Sequence, residues 1–150
     1  MDTFNPPRRV RSPFGIVNPD GYEARLTHQA DEDLGLELFT TPPGALTDDL
    51  AGLGAGALTN GVYSYRVTFV TAGGETEGGT VSGGVTVVNA AVNGQVALTG
   101  IPVSPNPQVT SRRIYRTIAG GAAYLLQSTI ANNTATTLTD NTADAALGAA

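Results

Sequence analysis

Side chains able to do chemistry are few here, and their spacing limits what they could do. His28 is the single histidine and cysteine is absent, so nucleophile–histidine pairs would rest on one imidazole and thiolate chemistry has no residue to use. The acids nearest in sequence, Asp31-Glu32-Asp33, are consecutive, whereas acid–base catalysis needs carboxylates held apart in different environments. The same run offers oxygen ligands to a hard cation. It lacks the alternating Asp-x-Asp-x-Asp-Gly loop and the distal glutamate of a strong calcium site. Gly-Gly pairs at 73–74, 78–79, 83–84 and 120–121 stand between apolar segments. None leads into Gly-Lys-Ser and a helix, so they mark turns and bulges rather than phosphate loops. The residues therefore predict no enzyme, no metal and no cofactor, and His28 and the acidic run read as surface or interface groups.

The arginines carry more information. All eight basic residues are arginine, and the net charge is −5. Residues 1–25 carry a net +1, residues 26–60 hold six acids and no arginine, and residues 61–150 balance. Nucleic-acid affinity depends on phosphate contacts, and an acidic chain predicts no such partner. Arg8-Arg9-x-Arg11, set between prolines, instead suggests contacts with protein acids. Arg112, Arg113 and Arg116 fall on one strand pattern. Period two puts Arg112, Ile114 and Arg116 on one face and Arg113, Tyr115 and Thr117 on the other. With Ile114 inward, Arg113 and Tyr115 form an outward pair of the types enriched at interface hot spots.

The elements that must position these groups are strands. Residues 62–71 set Tyr63, Tyr65, Val67 and Phe69 at alternate positions with Ser64, Arg66 and Thr68 between them, the pattern of a half-buried strand. Turn chemistry flanks it at Asn60-Gly61 and Gly73-Gly74. Further strands are expected at residues 80–88 with a bulge at Gly83-Gly84, and at 95–99 with Val96 and Leu98 facing one way. Others are expected at 110–118, 124–130 and 136–140. Asn93-Gly94 predicts a tight hairpin, and the prolines of residues 101–107 predict a loop. No helix of consequence is expected.

Residues 1–43 are different. Pro6-Pro7, Pro13, Pro19 and Pro42-Pro43 punctuate them, and each removes a backbone donor and biases its predecessor toward extended geometry. Residues 34–39 are the one short strand candidate. Phe4, Phe14, Ile16, Tyr22 and Phe39 are apolar anchors that an extended arm cannot bury against itself, each worth about 1.5–3 kcal/mol when buried. The expectation is a docking arm over residues 1–43, whose contacts are Phe4, Arg8, Arg9, Arg11, Phe14, Ile16, Tyr22 and Phe39. A Gly/Ala-rich linker over 44–60 follows, in which Thr47-Asp48-Asp49 could cap one helical turn. No apolar run approaches the roughly 18 residues of a membrane span, and the first residues lack the apolar core of a signal peptide. The sequence thus reads as a soluble protein made in a cytoplasm, without a membrane partner.

Two blocks resemble a known family. Residues 61–77, Gly-Val-Tyr-Ser-Tyr-Arg-Val-Thr-Phe-Val-Thr-Ala-Gly-Gly-Glu-Thr-Glu, resemble the late strand pair of fibronectin type III modules, with Tyr63 as the corner tyrosine. Residues 109–117, then Gly120-Gly121, Tyr124-Leu125-Leu126 and Leu138-Thr139-Asp140-Asn141, resemble their early and middle strands, in inverted order as though circularly permuted. The whole of 61–148 also looks like domains of tailed-bacteriophage virion proteins. That resemblance implies an all-β immunoglobulin/fibronectin III-like β-sandwich over 61–148 with a core of Tyr63, Tyr65, Val67, Phe69, Val96, Leu98 and Ile114. It further implies a non-enzymatic structural protein, synthesised in the host bacterial cytoplasm and located in the virion. Within the particle the expectation is a capsid decoration (cement) or head-fibre protein. Its partners would be other virion proteins, the major capsid protein first among them, in a symmetric homo-oligomer. The alternatives are a neck or tail adaptor, or a module whose loops at 72–79 and 102–108 bind a host glycan or receptor.

Overall fold

The computed structural model describes residues 10–12, 15–17, 41–50 and 52–150. The chain divides into two compact units, Met1–Phe39 and Thr40–Ala150. In the first, β1 (Val10–Ser12) pairs antiparallel with β2 (Gly15–Val17), with Arg11 opposite Ile16. A hairpin therefore stands where the prolines suggested an irregular arm. Val10, Ile16 and Val17 are β-branched, a residue type that strands favour. Phe4, Arg8, Arg9, Phe14, Tyr22, Phe39 and the strand candidate at 34–39 lie outside the described residues.

The second unit is antiparallel β-structure with almost no helix. Its strands are β3 (Thr47–Asp49), β4 (Gly61–Tyr63), β5 (Tyr65–Thr71), β6 (Gly74–Glu75) and β7 (Val85–Val87), then β8 (Val96–Thr99), β9 (Ser111–Arg116), β10 (Leu125–Ile130) and β11 (Leu138–Asp140). A four-stranded sheet runs β10-β9-β5-β6, a three-stranded sheet β11-β8-β3, and β4 pairs with β7. The segment read as one strand over 62–71 is thus two. The chain leaves the β4–β7 ribbon at Ser64 and enters the four-stranded sheet at Tyr65. Alternation survives the change: Tyr63, Tyr65 and Val67 are fully buried and Phe69 is 5% exposed. One core cluster draws on all three sheets, joining Tyr63, Tyr65, Val67, Val85 and Val87 with Val96, Leu98, Ile114 and Ile130. Phe69 is buried outside that cluster.

Two local expectations are corrected. The stretch read as a linker is built into the unit, because Thr47–Asp49 forms β3 against β8 rather than capping a helical turn, with Asp48 opposite Leu98. Leu46 and Leu58, on either side of it, join the core. Burial of two leucines outweighs the weak local preference of a Gly/Ala-rich segment. Asn93-Gly94 is no hairpin either. Asn89 accepts a hydrogen bond from Ala91 N and caps a single helical turn, α1 (Ala90–Asn93), that Gly94 closes. Capping gives the chain an alternative to a tight turn, and β7 and β8 consequently lie in different sheets. Among the described residues no helix is long and apolar enough to cross a membrane.

Candidate functional site

The outward face of the four-stranded sheet gathers a cluster of polar side chains. β5 contributes Arg66 and Thr68, β9 contributes Arg113 and Tyr115, and β6 contributes Glu75. Register makes this inevitable: Arg66 lies opposite Tyr115 and Thr68 opposite Arg113, and residues directly opposite in an antiparallel pair share a face. Glu75 is the hub. Thr68 Oγ1 donates to its Oε1 at 2.5 Å, the Tyr115 hydroxyl to the same oxygen at 2.8 Å, and Arg113 to Oε2 at 2.5 Å. Burial pushes the Glu75 carboxyl up, but the bonds from Thr68 and Tyr115 and the charge of Arg113 together hold it below the ordinary carboxylate value. Burial, then the bond to Glu75, raises the Tyr115 phenol above its ordinary value. The expected outward pair is therefore one fixed cluster rather than two free side chains.

Beside it lies an open groove of about 290 Å³, lined by Arg66, Thr68, Glu75, Glu77, Tyr115 and Tyr124 among others. The Arg66 guanidinium stacks 4.5 Å from the centre of the Tyr124 ring, a cation–π contact that holds the side chain in place. Arg66 makes no hydrogen bond or ion pair, and its buried Nε is without a partner. Gly78 leaves room for it, since a Cβ there would meet Arg66 Cδ at 3.3 Å.

Inside the unit the other arginines are consumed. Arg116 and Asp140 are both fully buried, with Nε 3.0 Å from Oδ2. Arg116 also donates to Asp144 at 2.9 Å and to the Thr142 carbonyl at 2.8 Å, and lies 4.8 Å from the Tyr63 ring centre. Asp140 accepts from the Tyr65 hydroxyl at 2.9 Å, from Gln127 at 3.1 Å and from Thr142 N at 2.9 Å. Arg112, likewise fully buried, donates to the carbonyls of Pro102, Asn132 and Ala135. Desolvation lowers its pKa. These contacts tie the loops after β8 and β10 to the sheet.

Sequence reasoning put Arg112 and Arg116 on the Ile114 face without finding their partners. The only signal was the alternation itself, because Asp140, Thr142 and Asp144 lie 24 to 28 residues from Arg116. Sequence reasoning also missed Arg66, Glu75 and Tyr124, which no local motif marks. Of the arm residues, Arg11 and Ile16 are placed in the β1–β2 hairpin; His28 and Asp31-Glu32-Asp33 lie outside the described residues. Among the described residues no group of three or more His, Cys, Asp or Glu could hold a metal ion. Comparison with protein-family models, with curated proteins and with solved structures finds no match.

Proposed function

We propose that this chain is a non-enzymatic structural protein of a tailed-phage virion, built as a permuted immunoglobulin/fibronectin III-like sandwich. In this reading it is a capsid decoration or head-fibre subunit whose N-terminal unit docks on other virion proteins. The observation that carries the reading is the outward cluster of Arg113, Tyr115 and Glu75 on a rigid sheet. Arg and Tyr are the residue types on which interfaces concentrate their energy. Their side chains are already ordered by Glu75, so docking loses less rotamer freedom. The module assignment has its own support. The Tyr63 hydroxyl donates to the carbonyl of Thr59 at 2.8 Å, four residues upstream, the bond that defines a tyrosine corner in such sandwiches.

The test offers the full chain, and separately residues 40–150, to particles lacking the protein, and scores co-sedimentation. Full-length chain is expected to bind, and the fragment, which keeps the Arg113–Tyr115–Glu75 face but lacks the N-terminal unit, to bind more weakly. Equal binding by both would move the docking surface out of the N-terminal unit, and binding by neither would sink the virion reading.

One observation favours a second reading, a host-glycan module. Tyr115 and Tyr124 line the groove together with Thr76, Glu77 and Gly78, which belong to the loop expected to recognise a ligand. A glycan array with the full chain separates the two, since an assembly subunit gives no specific hit.

A further inference from the structure

We propose that a second copy of this chain pairs with the open edge of β7, strand against identical strand. Two β4–β7 ribbons would then join into one four-stranded sheet across a twofold axis. Register shows which groups are open. The Val62 carbonyl accepts from Gly120 N at 2.9 Å and the Ser64 carbonyl from Thr117 N at 3.1 Å, so Val62 and Ser64 turn their backbone groups toward residues 117–120. Val62 and Thr86 are therefore the non-hydrogen-bonded pair of the β4–β7 ladder, and Thr86 turns its own N–H and carbonyl away from β4. Among the described residues nothing donates to or accepts from them.

The other strand edges of this unit are covered or charged. Along β5 the carbonyls of Tyr65, Val67 and Phe69 accept from Ser82, Gly79 and Thr76, and β6 ends on Glu75. Leu126 of β10 bonds through both backbone groups to Gly148 and Ala149. The outer strands of the three-stranded sheet each hold an inward aspartate, Asp48 bonded to Ser82 and the fully buried Asp140. Inward charge is one way in which natural sheets keep their edges from pairing. β7 has no such guard. Residues 78–111 contain no charged residue, and Gly84-Val85-Thr86-Val87-Val88 contains no proline.

The strand is also complementary to itself. Antiparallel pairing centred on Thr86 sets threonine against threonine, Val85 against Val87 and Val88 against Gly84. The buried face stays apolar, since Val85 and Val87 already point inward, and Val88, 71% exposed, gains cover. Threonine and β-branched pairs favour such ladders, and stiff side chains lose little rotamer freedom on docking. A chain of net charge −5 meets its copy here without setting like charges together, whereas a charged partner finds nothing on this edge to complement. The contact is short, and repetition in a symmetric array multiplies it.

Sedimentation equilibrium of the full chain, at up to about 1 mM because the contact is smaller than a standard interface, tests this. Reversible dimers are expected, no weaker at about 500 mM salt than at about 50 mM, since no charge takes part. Thr86→Pro deletes a donor that the fold leaves unused and should weaken association about tenfold or more without lowering the melting temperature. Thr86→Lys and Val88→Lys, which put charge on the edge, should do the same. If Thr86→Pro melts early, Val88→Lys carries the test. The chain has no cysteine, so oxidised Thr86→Cys should give a covalent dimer faster than Val103→Cys, which is exposed in the loop after β8.

A wild-type chain that stays monomeric overturns the proposal, as does association that survives Thr86→Lys and Val88→Lys, or that falls tenfold as salt rises. The virion reading is separate. A monomeric chain that still co-sediments with particles sinks this pairing alone, and a dimer that leaves particles unbound supports the pairing and sinks that reading.

Discussion

A buried arginine costs several kcal/mol unless its donors are used and its charge is met. Arg116 has Asp140, Asp144 and the Thr142 carbonyl around it, and Asp140 in turn serves Tyr65 and Gln127. Removing one partner leaves the other charge unpaired in the core. Asp140→Ala should therefore lower stability by about 3–5 kcal/mol, read as a shift of the urea midpoint. Tyr65→Phe removes one hydrogen bond to the same carboxylate and should cost about 1–3 kcal/mol. If Asp140→Ala were as mild as Tyr65→Phe, the ion pair would not be holding the core. Glu75 predicts a pH effect. Its carboxyl is depressed in the folded chain, so the stability it contributes is fully present above the ordinary carboxylate value. That contribution is lost as pH falls from there through the lowered folded value. Glu75→Gln should be less stable than wild type at neutral pH and should show a flatter acid limb in a melting-temperature profile.

Elements came out of the sequence unevenly, and the reason is distance along the chain. Period two in residues 62–71, 95–99 and 110–118 is a local property, and the side chains it places together are indeed buried together: Tyr63, Tyr65 and Val67, Val96 and Leu98, Ile114. Which strand neighbours which is not local. β5 pairs with β9 and β3 with β8, with partners 41 to 52 residues apart by register, and no pattern in either strand names its partner. The break at Ser64 was hidden for the same reason, since changing sheets leaves the alternation intact. Asn93-Gly94 misled because its context is tertiary. Gly94 N donates to the Gly54 carbonyl and its own carbonyl accepts from Leu58 N, so the glycine serves a close backbone approach rather than a hairpin turn. A Cβ at Gly94 would stand 2.5 Å from the Ala90 carbonyl oxygen and 2.6 Å from Gly56 N. Gly94→Ala should cost about 1–3 kcal/mol, the usual range for overpacking. A substitution without effect, measured by thermal melting, would mean that this junction is loose.

At the scale of the molecule, the division at Phe39 and Thr40 predicts that residues 40–150 fold alone. A cooperative melt is expected after removal of residues 1–39. Cutting further should be harmful, because the Pro43 carbonyl accepts from Thr80 N and Leu46 lies in the core. Loss of the cooperative transition in the 40–150 fragment itself would show that the first unit belongs to the same folding unit.

The bond between the Tyr65 hydroxyl and Asp140 joins residues 75 positions apart, and Ala57 N reaches Asn141 across 84. Folding that depends on such distant pairs is slow, on the order of milliseconds to seconds. It also has a consequence during synthesis. At about 5–20 residues per second, the ribosome has exposed Tyr65 and left Arg116 without its counter-charge for seconds before Asp140 emerges. The nascent chain then holds apolar strands and uncompensated arginines that nothing yet covers. β11, by bringing Asp140, supplies the counter-charge that Arg116 and the hydroxyl of Tyr65 have waited for.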